Sequence, residues 1–221
     1  MNPSPKEKTP PALQSTSVAL DIVILPPAEI MDHAISINQE HLLKSQRKIS
    51  LNRDNCFPHI SLSMGCAAER DVPKIQAAID ETVKNFKTMK LEIVKTYSHP
   101  LMNNEIISGF EIKKTEAIQA LHEALVHKMK AFFKKRAYPD MFYQPPAIDE
   151  ITVQLANRFL QQQALENYNP HLTLGLGIAP QLDQSYHFTA SSITLCRLGN
   201  YCTCRKVLSH HAFNSKTAGS R

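Results

Sequence analysis

The sequence predicts an α+β protein built from two related halves. The first observation is a segment that occurs twice, as PHISLSMG at residues 58–65 and as PHLTLGLG at residues 170–177. The second is the order of elements, in which strand, helix, motif strand, helix and hairpin precede two helices, a second motif strand and a second hairpin. The third is that no flexible linker separates the halves, which favours a single domain over residues 17–213.

The elements of the first half follow from the spacing of apolar residues and from the residues that end each run. Residues 17–25 form a compact apolar run that Pro26 and Pro27 end, which predicts a buried strand. The elements predicted after it are a helix over 28–46, a loop over 50–58, a strand over 59–64, a helix after Asp71 with Pro73 in its first turn, and a β-hairpin with arms at 89–93 and 105–113 around a turn-rich segment at 98–104.

The second half opens with a long helix, which Thr115 caps and which is predicted to continue through Arg136. The elements predicted after it are a loop over 138–149, a helix over 150–163, a strand over 171–177, and a hairpin from Phe188 through Gly199 and Asn200 to Leu208. Residues 1–16 are rich in Pro, Lys, Ser and Thr and predict a disordered N-terminal tail, and residues 214–221 are predicted as a disordered C-terminal tail.

The composition is that of an ordinary globular protein, with 43% hydrophobic and 20% charged residues in a chain of 221. A formal net charge of +5 favours an anionic partner such as a nucleotide or an RNA end, although a dedicated duplex-binding protein is usually more basic. The sequence contains no secretory signal and no apolar run near the length of a membrane span. We therefore expect a cytoplasmic monomer with no membrane or protein partner, in which the five cysteines stay reduced.

The duplicated segment combines a histidine with a hydroxyl residue. Because residues i and i+2 of a strand face the same side, His59 shares a face with Ser61, and His171 shares one with Thr173. Hydrolysis of a phosphodiester needs a base for the nucleophile, an acid for the leaving oxygen, and donors for the non-bridging oxygens. Two histidines with pKa values near neutrality suit the proton transfers, and two hydroxyls suit the oxygens. This chemistry requires no metal and no cofactor.

A third His-x-Thr triplet differs from the duplicated one. His187-Phe188-Thr189 has neither the preceding Pro nor the following Leu and Gly, so we interpret it as a chance match. For the duplicated segment one alternative stays open, in which two similar core strands carry Pro and Gly only for the sake of their turns.

The pair of motifs His59-Ile60-Ser61 and His171-Leu172-Thr173 resembles the 2H phosphoesterase superfamily, which includes bacterial 2′-5′ RNA ligase-like enzymes and cyclic nucleotide phosphodiesterases. The resemblance covers residues 17–210 in outline. It implies an α+β fold with two pseudo-symmetric α/β lobes, whose antiparallel sheets surround a central cleft. It also implies that His59 and His171 are catalytic and that Ser61 and Thr173 bind phosphate.

The activity implied by this resemblance is that of a metal-independent phosphodiesterase, acting on a nucleoside 2′,3′-cyclic phosphate or on a related RNA-end or 2′-5′ phosphodiester. Which histidine is the base and which is the acid is left open. Two other functions also stay open: the reverse, ligase-type reaction and a non-catalytic module that binds nucleotides or RNA. The chain has no Gly-rich phosphate-binding loop, so dependence on ATP is not expected.

Two aromatic residues lie close to the motif histidines in the sequence. Phe57 and Tyr168 are candidates for binding a substrate base, because bases stack on aromatic rings. Packing in the core is the alternative role for both.

Three cysteines near the C-terminus form a different kind of candidate. Cys202 and Cys204 would share one strand face with Cys196 opposite, and a zinc site could be drawn from them together with His210-His211. Their spacing matches no common structural zinc pattern, so we expect no metal and interpret these cysteines as small apolar residues.

Overall fold

The computed structural model describes residues 17–43, 48–144 and 147–214, and within these ranges it contains eight strands and four α-helices. The strands are β1 (Ser17–Ile24), β2 (Ile60–Ala68), β3 (Met89–Pro100), β4 (Ile106–Ile112), β5 (His171–Leu176), β6 (Tyr186–Ala190), β7 (Ser192–Leu198) and β8 (Cys204–Ala212). The helices are α1 (Ala28–Ile37), α2 (Val72–Val83), α3 (Glu116–Met129) and α4 (Glu150–Gln162).

The two predicted tails fall almost entirely outside the described residues. This applies to residues 1–16 and to residues 215–221. Asn214, which the sequence assigns to the C-terminal tail, is part of the fold, because its backbone N–H donates to the Phe86 carbonyl at 3.0 Å.

All eight strands pair antiparallel in one curled sheet, in the order β6-β3-β4-β5-β2-β1-β7-β8. The motif strands β2 and β5 are neighbours at its middle, where their ladder holds a single pair, Ile60 opposite Leu172. The strands on the two sides of this short join form two antiparallel lobes. The predicted α+β fold with two lobes is therefore confirmed.

The lobes are not consecutive along the chain, which corrects the order that the sequence suggests. The hairpin β3–β4 follows the first motif strand but pairs with the second, and the hairpin β7–β8 follows the second motif strand but pairs with β1. Strand partners in an antiparallel sheet are chosen by long-range contacts, which a local apolar pattern does not encode. We call the half with β1, β2, β7 and β8 lobe 1, and the half with β3 to β6 lobe 2.

Three boundaries differ from the predicted ones. The predicted hairpin from Phe188 to Leu208 is the pair β7–β8 alone, because residues 186–190 form β6 and cross to pair with β3 in lobe 2. Strand β2 continues to Ala68 because its second half pairs with the start of β1. Helix α3 ends before the predicted Arg136, and the chain after it turns so that the Phe133 ring packs against the backbone of Gly65, where a Cβ would lie 2.6 Å away.

The predicted helix over 28–46 is α1 followed by a wider helical turn over Asn38–Leu42, and residues 44–47 lie outside the described ranges. Asn38 fixes this turn from the inside. Its buried side-chain amide donates to the carbonyls of Ile49 at 3.0 Å and Leu174 at 2.7 Å, and its oxygen accepts from the Leu51 N–H at 2.9 Å. These bonds tie the loop that precedes the first motif to the second motif strand.

The two faces of the sheet have different coverings. Buried residues of α1, α2 and α3 join Leu20 and Ile22 of β1 in one large apolar cluster. On the opposite face, Ala19 and Met64 pack in a smaller cluster with Phe159 of α4. Burial of these apolar side chains is the main stabilising contribution on both faces. The smaller cluster leaves room beside α4 for a cleft.

Cys196 on β7 and Cys204 on β8 form a disulfide with their Cα atoms 5.7 Å apart, which corrects the expectation that the cysteines stay reduced. The two residues are diagonal in the ladder, where Cys196 pairs with Val207 and Cys204 with Leu198, and a register shift lies between these two pairs. Cys202 lies in the turn before β8, where its Sγ–H donates to the Thr152 carbonyl at 3.7 Å, so it does not share a strand face with Cys204. The free cysteines in the described ranges, all buried, are Cys56, Cys66 and Cys202.

Candidate active site

A cleft of about 390 Å³ opens beside α4 where the two lobes meet. Its walls carry all four polar residues of the duplicated motif: His59, Ser61, His171 and Thr173. They face each other because the two motif strands are antiparallel neighbours in the sheet. The bulky residues between them point to the other side of the sheet and are fully buried; these are Ile60, Leu62, Leu172 and Leu174.

Both imidazoles are oriented in the same way. Nδ1 of His59 lies 2.8 Å from the carbonyl oxygen of Phe57, and Nδ1 of His171 lies 2.8 Å from the carbonyl oxygen of Asn169. A carbonyl oxygen only accepts, so each Nδ1 carries the hydrogen and donates it. Nε2 is therefore the atom that each ring presents to the cleft, free to take or to give a proton.

The pKa values of both histidines lie below the ordinary range. Desolvation, together with a smaller effect of the nearby His171, lowers the pKa of His59 to about 4, although the hydrogen bond with Phe57 opposes part of this shift. Desolvation also lowers the pKa of His171, with a smaller lowering effect from His99. Both rings are thus uncharged at neutral pH in the free protein. An anion bound between them raises both pKa values, because it stabilises the charged form.

The hydroxyl of the first motif lies next to a buried acid. Oγ of Ser61 is 2.6 Å from Oδ2 of Asp21, a residue of β1 that is completely buried. Burial raises the pKa of the Asp21 carboxyl to about 8, and the hydrogen bond with Ser61 opposes part of this shift.

The hydroxyl of the second motif has a different neighbour. Thr173 forms a side-chain hydrogen bond with the phenol of Tyr97, whose pKa burial raises. The Tyr97 ring lies edge-on to His171 with centroids 5.8 Å apart and stacks on the exposed His99 at 5.3 Å. Gly109, opposite Thr173 in the sheet, permits this approach, since a Cβ there would lie 2.5 Å from the Tyr97 hydroxyl oxygen.

Tyr168, a predicted substrate-binding residue, lines the cleft but is only 4% exposed. Its hydroxyl donates to the carbonyl of Ser61 at 3.0 Å, and one face of its ring stacks in parallel on His122 at 3.8 Å. His122 is itself fixed between the carbonyl of Leu62 at 2.6 Å and the N–H of Leu165 at 2.8 Å. The Tyr168 ring therefore supports the first motif strand, and only its edge reaches the cleft.

Phe57, the other predicted substrate-binding residue, is placed elsewhere. Its ring packs on the cluster of Val23, Cys196 and Cys204, and it is not part of the cleft wall. This placement corrects the role suggested for Phe57, because strand pairing with Cys204 turns its side chain away from the cleft. Its carbonyl oxygen, rather than its ring, serves the site by holding His59.

A polar contact joins the two lobes at the rim of the cleft, and we call Lys48, Glu105 and Tyr201 the cleft bridge. Nζ of Lys48 lies 2.9 Å from the Glu105 carboxylate of the β3–β4 turn and 3.1 Å from the hydroxyl of Tyr201, which also bonds to Glu105. Tyr201 belongs to the β7–β8 turn, where it adopts a left-handed backbone (φ 56) that non-glycine residues rarely adopt. Its N–H donates to Thr152 Oγ1 at 2.7 Å, which holds the turn in place.

The residues considered for zinc have other partners. Cys196 and Cys204 are disulfide-bonded, His210 bonds to Thr194, and His211 bonds to Asp80. Across the described ranges, no group of three or more His, Cys, Asp or Glu side chains is arranged to hold a metal ion. None of the helices in the same ranges has the length and apolar character needed to cross a membrane.

Three residues of the site were not found from the sequence: Asp21, Tyr97 and His99. The sequence did contain an indication of Asp21, because it is the single acidic residue in a strand of mostly apolar residues. Acidic residues are rarely buried unless they have a partner or a function. Tyr97 and His99 had the alternation of a strand, but their place next to the second motif depends on β3 lying beside β4 and β4 beside β5.

Comparisons with known proteins identify a matching family and structures with a similar fold. The sequence model of the 2'-5' RNA ligase superfamily matches residues 39–190. No curated protein sequence matches the chain. Solved structures with a similar fold include TT0787 of Thermus thermophilus, with 14% identity over 89% of this chain and 98% of that one at a TM-score of 0.51. They also include E. coli LigT complexed with ATP, with 13% identity over 91% and 100% at 0.53, and LigT in its apo form, with 13% over 91% and 100% at 0.50. At such identities the structures show a shared fold.

Proposed function

The chain belongs to the 2'-5' RNA ligase superfamily, and from that premise we propose that it is a metal-independent phosphodiesterase. Its substrate would be a nucleoside 2′,3′-cyclic phosphate or a related RNA-end or 2′-5′ phosphodiester. His59 and His171 would transfer the protons, and Ser61 and Thr173 would bind the non-bridging oxygens.

One observation carries this proposal. Both motif histidines donate Nδ1–H to a carbonyl two residues earlier on the chain, so both turn Nε2 towards the same cleft beside a hydroxyl. Two core strands that merely ended in similar turns would not need this matched orientation. A pair of imidazoles on either side of a phosphorus atom provides a base and an acid for in-line displacement.

In the proposed reaction, one histidine accepts a proton and the other donates one. His59 takes a proton from the attacking water while a bond forms between its oxygen and phosphorus. The bond between phosphorus and one ribose oxygen breaks, and His171 gives that oxygen its proton. The product is a phosphomonoester, and exchange with solvent restores both rings. Hydrogen bonds from the motif hydroxyls stabilise the charge on the non-bridging oxygens.

The assignment of His59 as the base rests on its surroundings. Burial lowers the pKa of His59 to about 4 and so keeps its ring uncharged, which is the form that can accept a proton from water. Because kcat/KM reports on the free enzyme, we expect its pH profile to be bell-shaped with a maximum on the acid side of pH 6.5, the ordinary value for histidine. A maximum above pH 8 would contradict proton transfer by these two histidines.

A nucleotide fits the charge and the walls of the cleft. The net charge of +5 favours an anion, and the stacked rings of Tyr97 and His99 form an aromatic surface beside His171 for a base. E. coli LigT, which has a similar fold, was crystallised with ATP. A nucleotide in the present cleft would place its phosphodiester at the histidine pair and its base on this surface.

The direct test is turnover by the purified protein in the presence of a metal chelator. The panel contains the four nucleoside 2′,3′-cyclic phosphates and a 2′,5′-linked dinucleotide, with products separated by chromatography. Opening of a cyclic phosphate to one monoester supports the proposal, and the isomer formed identifies the P–O bond that breaks. Cleavage of the dinucleotide alone narrows the substrate to 2′-5′ linkages.

Two outcomes would replace the proposal. Tight nucleotide binding without turnover of any substrate would favour the non-catalytic binding module. Joining of RNA ends by the same preparation, with no net hydrolysis, would favour the ligase-type direction.

A further inference from the structure

The buried carboxyl of Asp21 is the one ionisable side chain within β1, a strand whose eight residues are all buried. Its Oδ2 lies 2.6 Å from the hydroxyl oxygen of Ser61 in the cleft wall. Its Oδ1 has no hydrogen-bond partner among the described residues, and within the same ranges no salt bridge reaches the carboxyl. Burial raises the pKa of Asp21 to about 8 and outweighs the hydrogen bonds from the Ser61 hydroxyl and from the backbone at Ile22 and Ser63, which favour the ionised carboxylate.

The groups around Asp21 bring no positive charge. Burial raises the pKa values of the nearby Tyr168 phenol and Cys202 thiol, so both are neutral in the range in which Asp21 titrates. Burial also raises the pKa of the Cys66 thiol, so this group is neutral in the same range. Cys196, which lies opposite Asp21 on β7, is in a disulfide and does not titrate. His59, two residues from Ser61, is uncharged at neutral pH.

The position of the proton follows from the partners. A hydrogen on Oδ2 can be donated to Ser61, whereas a hydrogen on Oδ1 has no acceptor among the described residues. When Asp21 donates to Ser61 Oγ, the hydrogen of Ser61 is released to point into the cleft. When Asp21 is ionised, Ser61 donates to it instead and presents only lone pairs to the cleft, which repel a phosphate oxygen.

We propose that Asp21 is a positioning residue which, by holding a proton against Ser61, turns the Ser61 hydroxyl into a donor for the phosphodiester. This role rests on the proposed function, since it requires that a phosphodiester bind in the cleft. It makes affinity for a phosphodiester sensitive to alkaline pH through the first motif alone. The second motif hydroxyl meets the phenol of Tyr97, which does not ionise in the same range.

The test measures binding without catalysis. The probe is deoxyadenylyl-(3′→5′)-deoxyadenosine, a phosphodiester that keeps one negative charge from pH 6 to pH 10 and lacks the 2′-hydroxyl. Its dissociation constant is determined by calorimetry from pH 7 to pH 9.5 for the wild-type protein and for Asp21→Asn, Ser61→Ala and Thr173→Val.

We expect the wild-type dissociation constant to rise about tenfold across this range, the size of one hydrogen bond to a charged oxygen. The Ser61→Ala protein should bind weakly at all pH values, and the wild-type curve should approach it above pH 9. The Asp21→Asn curve should be flat, because an amide does not ionise. Thr173→Val should weaken binding and keep the pH dependence.

An equally steep curve for Asp21→Asn and the wild type would overturn the role of Asp21, as would a wild-type protein that does not bind the probe at any pH. Binding of the probe with the expected curves, but no turnover of the substrate panel, would overturn the proposed function and leave the role of Asp21 intact. Infrared difference spectra of wild type against Asp21→Asn at pH 7 check the proton directly, since the C=O stretch of a protonated carboxyl lies above the amide band and an ionised carboxylate lacks it. Absence of that band would also contradict the proposal.

Discussion

The two motifs supply the same reactive groups on different supports. In both, the histidine is held by a carbonyl two residues earlier at 2.8 Å, and a hydroxyl lies two residues later. The hydroxyl of Ser61 rests on the buried acid Asp21, whereas that of Thr173 rests on the phenol of Tyr97. The two motifs are thus alike in the atoms that would touch a phosphate. They differ in the residues that contact those atoms from behind.

This difference gives the two sides of the cleft distinct properties. The side of His59 contains an acid whose pKa burial raises to about 8, while the side of His171 carries the stacked rings of Tyr97 and His99. An acid and a base have to differ even when both are histidines. In the proposed mechanism, the unequal supports would provide that difference without a change in the motif itself.

The largest expected effect on turnover comes from removing either motif histidine. We expect His59→Ala and His171→Ala each to lower kcat/KM by about 10³-fold, because general acid and general base catalysis contribute on that scale. The matched control is His187→Ala, which removes the histidine of the third His-x-Thr triplet from the exposed side of β6. Near-normal turnover by either motif variant would show that the two histidines do not work as a pair.

The second prediction concerns the pH dependence of stability, to which Asp21 contributes and Tyr97 does not. Asp21 is protonated in the folded protein up to a pKa of about 8, against an ordinary value of 3.8, so the folded state binds the extra proton between these pH values. Its contribution therefore falls as pH rises through this window and does not change further above it. Relative to wild type, Asp21→Asn should gain roughly 3–5 kcal/mol in free energy of unfolding between pH 4 and pH 9.

Urea unfolding at several pH values measures this gap, with Asp183→Asn as the control because Asp183 is exposed in a loop. A gap between Asp21→Asn and wild type that stays constant with pH would mean that Asp21 is ionised in the folded protein.

The third prediction tests the other support. Tyr97→Phe keeps the ring beside His171 and removes only the hydroxyl that bonds to Thr173, so we expect a three- to tenfold lower kcat/KM, about the effect of one neutral hydrogen bond. The loss should be the same at every pH, unlike that of the Ser61 side. Tyr138→Phe, on an exposed tyrosine, is the control. A loss that varies with pH would give Tyr97 a part in proton transfer.

The smallest effect is expected where the lobes touch at the rim. Glu105→Gln removes the charge from the cleft bridge, and we expect a loss of about 1 kcal/mol or less in stability together with a two- to threefold higher KM. The stability difference from wild type should shrink in high salt, which screens the ion pair with Lys48. A difference that salt does not change would mean that packing of Tyr201, rather than charge, holds the bridge.

These residues show which parts of the site can be predicted from the sequence. The four motif residues were predictable because alternation along a strand fixes which side chains share a face, and the bulky neighbours Ile60 and Leu172 fix which face is buried. Asp21 and Tyr97 were not predicted, because each acts across strands.

The errors in the fold have the same origin. The sequence predicted one hairpin over residues 188–208. In the structure, β6 does not pair with β7 but pairs with β3 and forms the edge strand of lobe 2. The disulfide between Cys196 and Cys204 was missed because its geometry depends on register shifts between β7 and β8. Phe57 was proposed for the cleft on its nearness in sequence to His59, whereas its pairing with Cys204 decides where the ring goes.

The carbonyl that orients each motif histidine comes from its own chain, two residues upstream. In a Ser-His-Asp triad the histidine depends on a carboxylate supplied from a distant part of the sequence. Here one short segment contains the motif histidine, the carbonyl that fixes its tautomer and the motif hydroxyl. In the proposed mechanism, two such segments side by side would supply both the acid and the base.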